Sequence, residues 1–200
     1  MTPLRFLLVL GALLLCAPLE GAALAVVDAQ LTRGRIFESL ASPAGKLTIS
    51  PELVVPDPQD PTAILLQSNA ITTLSERIRT AKANSAWVSG SLSALQTFCS
   101  EQENVRGNFP GPLPVIYCGS ENLEPEALAE SGASGVLVPL FGGSEMESFD
   151  QIASDNGWVD LCKNALKCGI QPIPEVTISC SMASSWVEED VENLVQALSK

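Results

Sequence analysis

The alternation of short apolar runs with helical stretches is the feature that most restricts the fold of this chain. Runs of strand length are each followed by a stretch whose apolar residues recur every three or four positions, which is the spacing of one helix face. Because a strand–helix–strand repeat needs crossover connections, we expect parallel strands in one sheet buried on both faces. The five runs predicted as strands are 63–67, 86–88, 113–117, 136–140 and 170–178.

Two α/β architectures fit five parallel βα repeats. One is a five-stranded doubly wound open sheet. The other is a partial TIM barrel of about five strands. A complete eight-stranded barrel takes about 250 residues, and this chain has 200. Length therefore favours the open sheet, and the two alternatives stay open at the level of sequence.

The N-terminal residues 1–25 are predicted to be a signal peptide. Arg5 precedes the apolar run 6–15, which is shorter than the roughly 20 residues of a membrane span, and Ala23-Leu24-Ala25 fits a small-x-small cleavage site. An uncleaved anchor or a buried N-terminal helix is the alternative. We therefore expect entry into the secretory pathway, a secreted or plastid destination, and no membrane span in the mature chain. A Pro-rich irregular segment, 26–61, is predicted to precede the βα-repeat domain, 62–200.

Composition excludes several kinds of site. The chain has no histidine, which removes Ser-His-Asp and Cys-His nucleophile systems and His-ligated zinc. Its net charge is −12, so it lacks the basic surface that displaces counterions from nucleic acid, and no nucleic-acid partner is expected. Cleavage of the signal peptide would remove Cys16 and leave five cysteines without a CxxC spacing, which does not indicate a disulfide framework. No metal and no cofactor are expected.

Candidate site residues follow from where parallel βα sheets bind ligands, at the carboxyl ends of the strands. Glu175 is a candidate general base, and Cys118 a candidate nucleophile or redox thiol. Gly142, Gly143 and Ser144 are candidate phosphate ligands, because a helix is predicted to begin at the capping box Ser144-x-x-Glu147. A solvated carboxylate, an unreactive cysteine and an ordinary turn are the competing interpretations. The predicted strand ends carry no lysine or arginine.

Three segments carry a resemblance to a known family. Leu113-Pro114-Val115, the stretch 126–138, and Pro174-Glu175-Val176-Thr177 resemble the third strand, the following helix with its turn, and the fifth strand of indole-3-glycerol-phosphate synthase. That family is a ribulose-phosphate-binding TIM barrel of tryptophan biosynthesis. The resemblance implies a carbon–carbon lyase acting on a carboxyphenylamino-deoxyribulose phosphate, a small phosphorylated ligand, and a match of Glu175 to the family's strand-five glutamate.

The departures from the family pattern concern its catalytic groups. The family's third strand carries a Lys-Asp-Phe whose lysine is the general acid, and here Tyr117-Cys118-Gly119-Ser120 stands at that place. The family's first strand supplies a glutamate and a lysine before a Ser-Pro-Ser-Lys-Gly loop. Either residues 63–69 occupy that strand, which we favour, or Ser42-Pro43-Ala44-Gly45-Lys46 is a displaced remnant. Strands six to eight, with their phosphate-binding loops, have no counterpart in the sequence.

Two functions from different classes follow from this pattern. The first is a divergent protein of indole-3-glycerol-phosphate synthase ancestry with weak or lost lyase activity. The second is a non-catalytic binding or assembly protein on the same βα scaffold, whose open sheet edge docks on a protein partner or on a second copy.

Overall fold

The computed structural model of the chain describes Ile36, Ser39 and residues 50–55, 61–119, 124–140, 145–146 and 157–178. The helices of this part of the chain are α1 (Pro61–Thr80), α2 (Leu92–Asn104), α3 (Pro125–Glu130) and α4 (Gly157–Lys167). Its strands are β1 (Glu52–Val55), β2 (Ala86–Gly90), β3 (Val115–Tyr117), β4 (Gly135–Pro139), β5 (Glu145–Met146), β6 (Gln171–Glu175) and β7 (Thr177–Ile178). The predicted signal peptide and the predicted C-terminal helix lie outside the described residues.

Five parallel strands form the main sheet in the order β1-β2-β3-β4-β6, and β5 pairs with β7 in a second, two-stranded parallel sheet. The order of the strands across the main sheet is therefore the same as their order along the chain, without a reversal. Right-handed crossovers between consecutive neighbours place the connecting helices on one face of a sheet. The prediction of an α/β fold with parallel βα repeats is confirmed.

The two faces of the main sheet bury different groups of residues. The helix-bearing face packs against all four described helices, with core side chains such as Leu95, Phe98 and Leu128 at 1% exposure or less. The opposite face buries Trp87, Ile116 and Ile173 together with Ile36, a helical residue that precedes the sheet in the chain. The sheet is thus covered on both sides along much of its width, as its near-continuous apolar strands predict.

The prediction for the first strand is wrong. Residues 63–67 lie inside α1, and the first strand is β1, in the Pro-rich segment predicted to be irregular and ahead of the predicted domain start at residue 62. Pro61 stands at the first position of α1, where its fixed φ favours helix and its missing N–H costs nothing. Pro51 and Pro56, on either side of β1, suggest an irregular segment in the sequence. A strand forms between them because proline is tolerated at the ends of an edge strand.

The remaining strand predictions differ from the structure in their boundaries. The runs 86–88, 113–117 and 136–140 correspond to β2, β3 and β4, whereas 170–178 divides into β6 and β7. The helix predicted to begin at Ser144 is wrong at its first turn. Glu145 and Met146 are extended and pair with Thr177 and Ile178, so tertiary strand pairing overrides the local capping signal there.

A buried polar network joins α1, α2 and the entry to β3. Gln102 is 3% exposed; its Nε2 donates to Ser75 Oγ at 2.6 Å and its Oε1 accepts from the Leu113 N–H at 2.8 Å. Beside it, Arg79 Nη2 lies 3.4 Å from Glu101 Oε1. These contacts fix the register of the two helices against the start of the third strand.

Candidate functional site

Glu175 and Cys118 both lie at carboxyl ends of strands, as predicted. Glu175 is the last residue of β6, half-buried, and aligned with Pro139 of β4. Cys118 directly follows β3, is also half-buried, and its N–H donates to Val88 O at 2.9 Å. The two side chains belong to the sheet face that carries Trp87, because their positions alternate in register with it.

The register separates these two residues. Ile116 aligns with Gly135, and Gly135 aligns with Gln171. Cys118 is therefore level with Ile173, two residues before Glu175 along β6. With β4 between their strands, their Cα atoms are more than about 10 Å apart at ordinary strand spacing and rise. A thiol nucleophile and a carboxylate base must be within hydrogen-bond reach to act as a pair. Cys118 and Glu175 therefore do not form such a pair.

Glu52 is the carboxylate that the structure places beside Cys118. The Cys118 thiol donates to Glu52 Oε1 across 4.0 Å, at the limit of a sulfur hydrogen bond. Sequence reasoning missed Glu52 because it placed the first strand after residue 62. The signal was present as the apolar run Leu53–Val54–Val55, flanked by one proline on each side of Glu52–Val55. Together, Glu52 and Cys118 place a carboxylate and a thiol on the same face of the sheet, on either side of β2.

The backbone at the end of β3 is shaped by an aromatic ring. Tyr117 OH donates to Gly90 O at 3.2 Å, which ties the carboxyl ends of β2 and β3 together. The ring then lies against Gly119, where any Cβ would overlap the Tyr117 side chain. Glycine is required at 119 by this close approach, so Cys118-Gly119 is a structural consequence of Tyr117 as well as a candidate site.

Gly142, Gly143 and Ser144 lie outside the described residues. Their predicted role rested on a helix N-terminus, and the following residues, β5, are a strand. On either side of this segment, Pro139 aligns with Glu175 and Glu145 aligns with Thr177.

Positive charge is distributed away from the strands. In the described ranges every lysine and arginine lies on a helix or in the turn that follows one, and none lies on a strand of the sheet. Helices in βα repeats end near the amino ends of the next strands, so the cations at helix ends lie far from the carboxyl-end loops. The cations at or just after helix ends are Arg77, Arg79, Lys82, Arg106 and Lys167, and Lys163 lies inside α4.

The same part of the chain offers little for other ligands. It contains no group of three or more Cys, Asp or Glu side chains placed to hold a metal ion. A groove of about 370 Å³ between α1 and α2 is lined by hydroxyl, amide and carboxylate side chains, including Thr72, Thr97 and Glu101. It lies on the helix-bearing side of the sheet, whereas Cys118 and Glu175 belong to the opposite face.

Burial divides the described cysteines into two classes. Burial raises the pKa of Cys99 and of Cys162 to about 12, so both thiols are neutral and unreactive at physiological pH. The pKa of Cys168 is also raised, first by desolvation and then by the charge and hydrogen bond of Glu126. Cys118 is half-buried at a strand end.

We expect thiol alkylation of the native protein to follow this division. In iodoacetamide at pH 8, mapped by mass spectrometry of peptides, Cys118 and Cys168 should be modified at least tenfold faster than Cys99 and Cys162. The Glu126→Gln variant should raise the rate at Cys168 alone, because it removes a charge that opposes the thiolate. Equal rates at all four sites would contradict the packing of Cys99 and Cys162 in the core.

No protein-family model, no curated protein and no solved structure matches the chain. In the described ranges, every helix is too short or too polar to cross a bilayer.

Proposed function

We propose that the chain is a divergent protein of indole-3-glycerol-phosphate synthase type, built on part of a TIM barrel, whose lyase activity is lost or residual and whose role is binding. The unreversed strand order supports the barrel side of this proposal. Doubly wound sheets reverse their strand order and place helices on both faces. Here the strands follow chain order, and α1 to α4 all pack on one face, while the helical residue Ile36 packs on the other.

The main support for a loss of catalysis is that the strands and strand ends that the structure describes carry no lysine or arginine. Indole ring closure on a phosphorylated ribulose needs an acid for the leaving hydroxyl and positive groups for the anionic ones. The resemblance requires a glutamate and a lysine on the first strand, and β1 has Glu52 without a lysine. It also requires a lysine that acts as the general acid at the third strand, and the residue that follows β3 is Cys118. Loss of one such electrostatic group costs about 10²–10³ in kcat.

A binding role in place of catalysis is supported by the edges of the sheet. β1 and β6 are the outer strands of the described main sheet. Val54 of β1 is 75% exposed, although its alternation places it on the face that buries Trp87 and Ile116. β1 is thus an outer strand with an apolar side chain in solvent, and an outer strand can serve as a template for pairing with another chain.

The test of lost catalysis is a fluorescence assay for indole-glycerol phosphate formation by the full chain, with the carboxyphenylamino-deoxyribulose phosphate as substrate. We expect a rate no more than tenfold above that of the Glu52→Gln/Glu175→Gln double variant, with cooperative unfolding of both proteins as evidence that they are folded. Saturable turnover that Glu175→Gln abolishes, and that Glu130→Gln on α3 leaves intact, would overturn the proposal. It would show that an acid from elsewhere in the chain replaces the family lysine.

A further inference from the structure

At the outer edge of the sheet, β1 carries backbone hydrogen-bonding groups that pair with no strand in the part of the chain that the structure describes. Pro51 O accepts from the Trp87 N–H at 2.9 Å, which fixes the side of β1 that faces β2. In a parallel pair, alternate residues direct both their N–H and C=O groups to the same side. Glu52 and Val54 therefore direct theirs away from β2, and in the described ranges β1 pairs with no other strand.

The side chains on this edge make it different from the other outer strand. Val54 is 75% exposed and Glu52 is also exposed, whereas Ile173 of β6 is 6% exposed. Natural proteins usually protect a sheet edge by keeping the strand short, or with charged side chains (lysine above all), a proline within the strand or a covering segment. β1 has four residues and carries a carboxylate rather than a lysine, with the exposed apolar side chain of Val54 two residues away on the same face.

Charge selects the occupant of this edge. Glu52 on β1 and Glu175 on β6 lie on the same face of the sheet, no described strand carries a cation, and the net charge of the chain is −12. Pairing of β1 with an edge of a second copy would bring acidic surfaces together. A cationic segment would be attracted by the same charges.

We propose that β1 is a docking edge for an extended segment of a partner protein, which adds as a parallel strand with a basic side chain beside Glu52 and an apolar one beside Val54. Main-chain hydrogen bonds supply affinity in this mode of recognition, and alternate side chains supply specificity. The inference deepens the binding role proposed above by naming the surface and the chemistry of its partner.

The test uses a fluorescein-labelled peptide with two copies of Lys-Thr-Val-Thr, blocked at both ends, and fluorescence anisotropy with the full chain. We expect it to bind at least tenfold more tightly than the same peptide with Glu for Lys, and Glu52→Lys to reverse that preference. Val54→Pro should weaken binding at least tenfold, because it removes an edge N–H that makes no bond to β2. Methylation of alternate peptide nitrogens should do the same.

The matched control separates this site from the general acidity of the chain. Glu76→Lys changes the same charge at an exposed position of α1 and should alter affinity less than threefold. Equal effects of Glu52→Lys and Glu76→Lys, or unchanged binding by a folded Val54→Pro variant, would overturn the proposal. Sedimentation of the chain alone tests the other occupant: a dimer dissociated by Val54→Pro would assign the edge to a second copy. Lyase turnover with intact peptide selectivity would overturn only the loss of catalysis.

Discussion

Replacement of Val138 by Asp is expected to leave the chain without a cooperative unfolding transition. Val138 is 4% exposed on β4, between β3 and β6, where its side chain belongs to the helix-bearing face of the sheet. The change removes a buried apolar side chain and places a carboxyl group among apolar neighbours. Together these cost roughly 4–8 kcal/mol, which is comparable with the whole stability of an ordinary domain. Urea titration followed by tryptophan fluorescence and far-UV circular dichroism measures the loss.

Pro139→Asp is the matched control, because it adds the same carboxylate to the next residue of β4 at an exposed position. We expect it to unfold cooperatively, with a midpoint lowered only slightly by repulsion from Glu175, which is aligned with residue 139 on β6. A soluble Val138→Asp protein with a sharp transition at the parent midpoint would contradict a sheet that is covered on its helix side.

Replacement of Gln102 by Leu is expected to lower the free energy of unfolding by about 2–5 kcal/mol. Leu is similar in size, so the cost comes from the groups that Gln102 leaves behind. The buried Ser75 Oγ loses its donor, and the Leu113 N–H, which is part-buried, loses its acceptor. Chemical denaturation of the parent and the variant gives the difference directly.

A double-variant cycle identifies the source of that loss. Ser75→Ala removes the hydroxyl that Gln102 contacts, so Gln102→Leu should cost at least about 0.5 kcal/mol less in the Ser75→Ala background than in the parent. Thr97→Ala, on the groove side of α2, should show no such coupling. Strict additivity with Ser75→Ala would exclude the 2.6 Å contact as the origin of the effect.

The sequence pattern predicts the middle of the sheet better than its beginning. β2, β3 and β4 are apolar runs between recognisable helices, and each strand coincides with its apolar run to within a few residues. β1 has only four residues, and Pro51 and Pro56 on either side suggest an irregular segment. What makes Glu52–Val55 a strand is its pairing with Trp87–Gly90, a tertiary contact that no local pattern contains.

For the candidate site, the positions are predictable and the distances are not. Glu175 and Cys118 were expected at strand ends and lie there, because each follows a recognisable apolar run. Their separation by β4, and the proximity of Glu52 to Cys118, depend on strand order and register. A one-residue change of register would move either side chain to the other face. Such contacts can be known only once the pairing is known.

The unreversed order of the strands also has a consequence for how the chain folds. Each new strand of the main sheet pairs with the one before it there, so the aligned residues are close in sequence: Ile116 and Gly135 are 19 positions apart, and Gly135 and Gln171 are 36 apart. Loop-closure entropy is then lost in small steps rather than in one long-range step. Folding can proceed in one direction along the chain, because each strand, once formed, offers its free edge for pairing with the next strand of the main sheet.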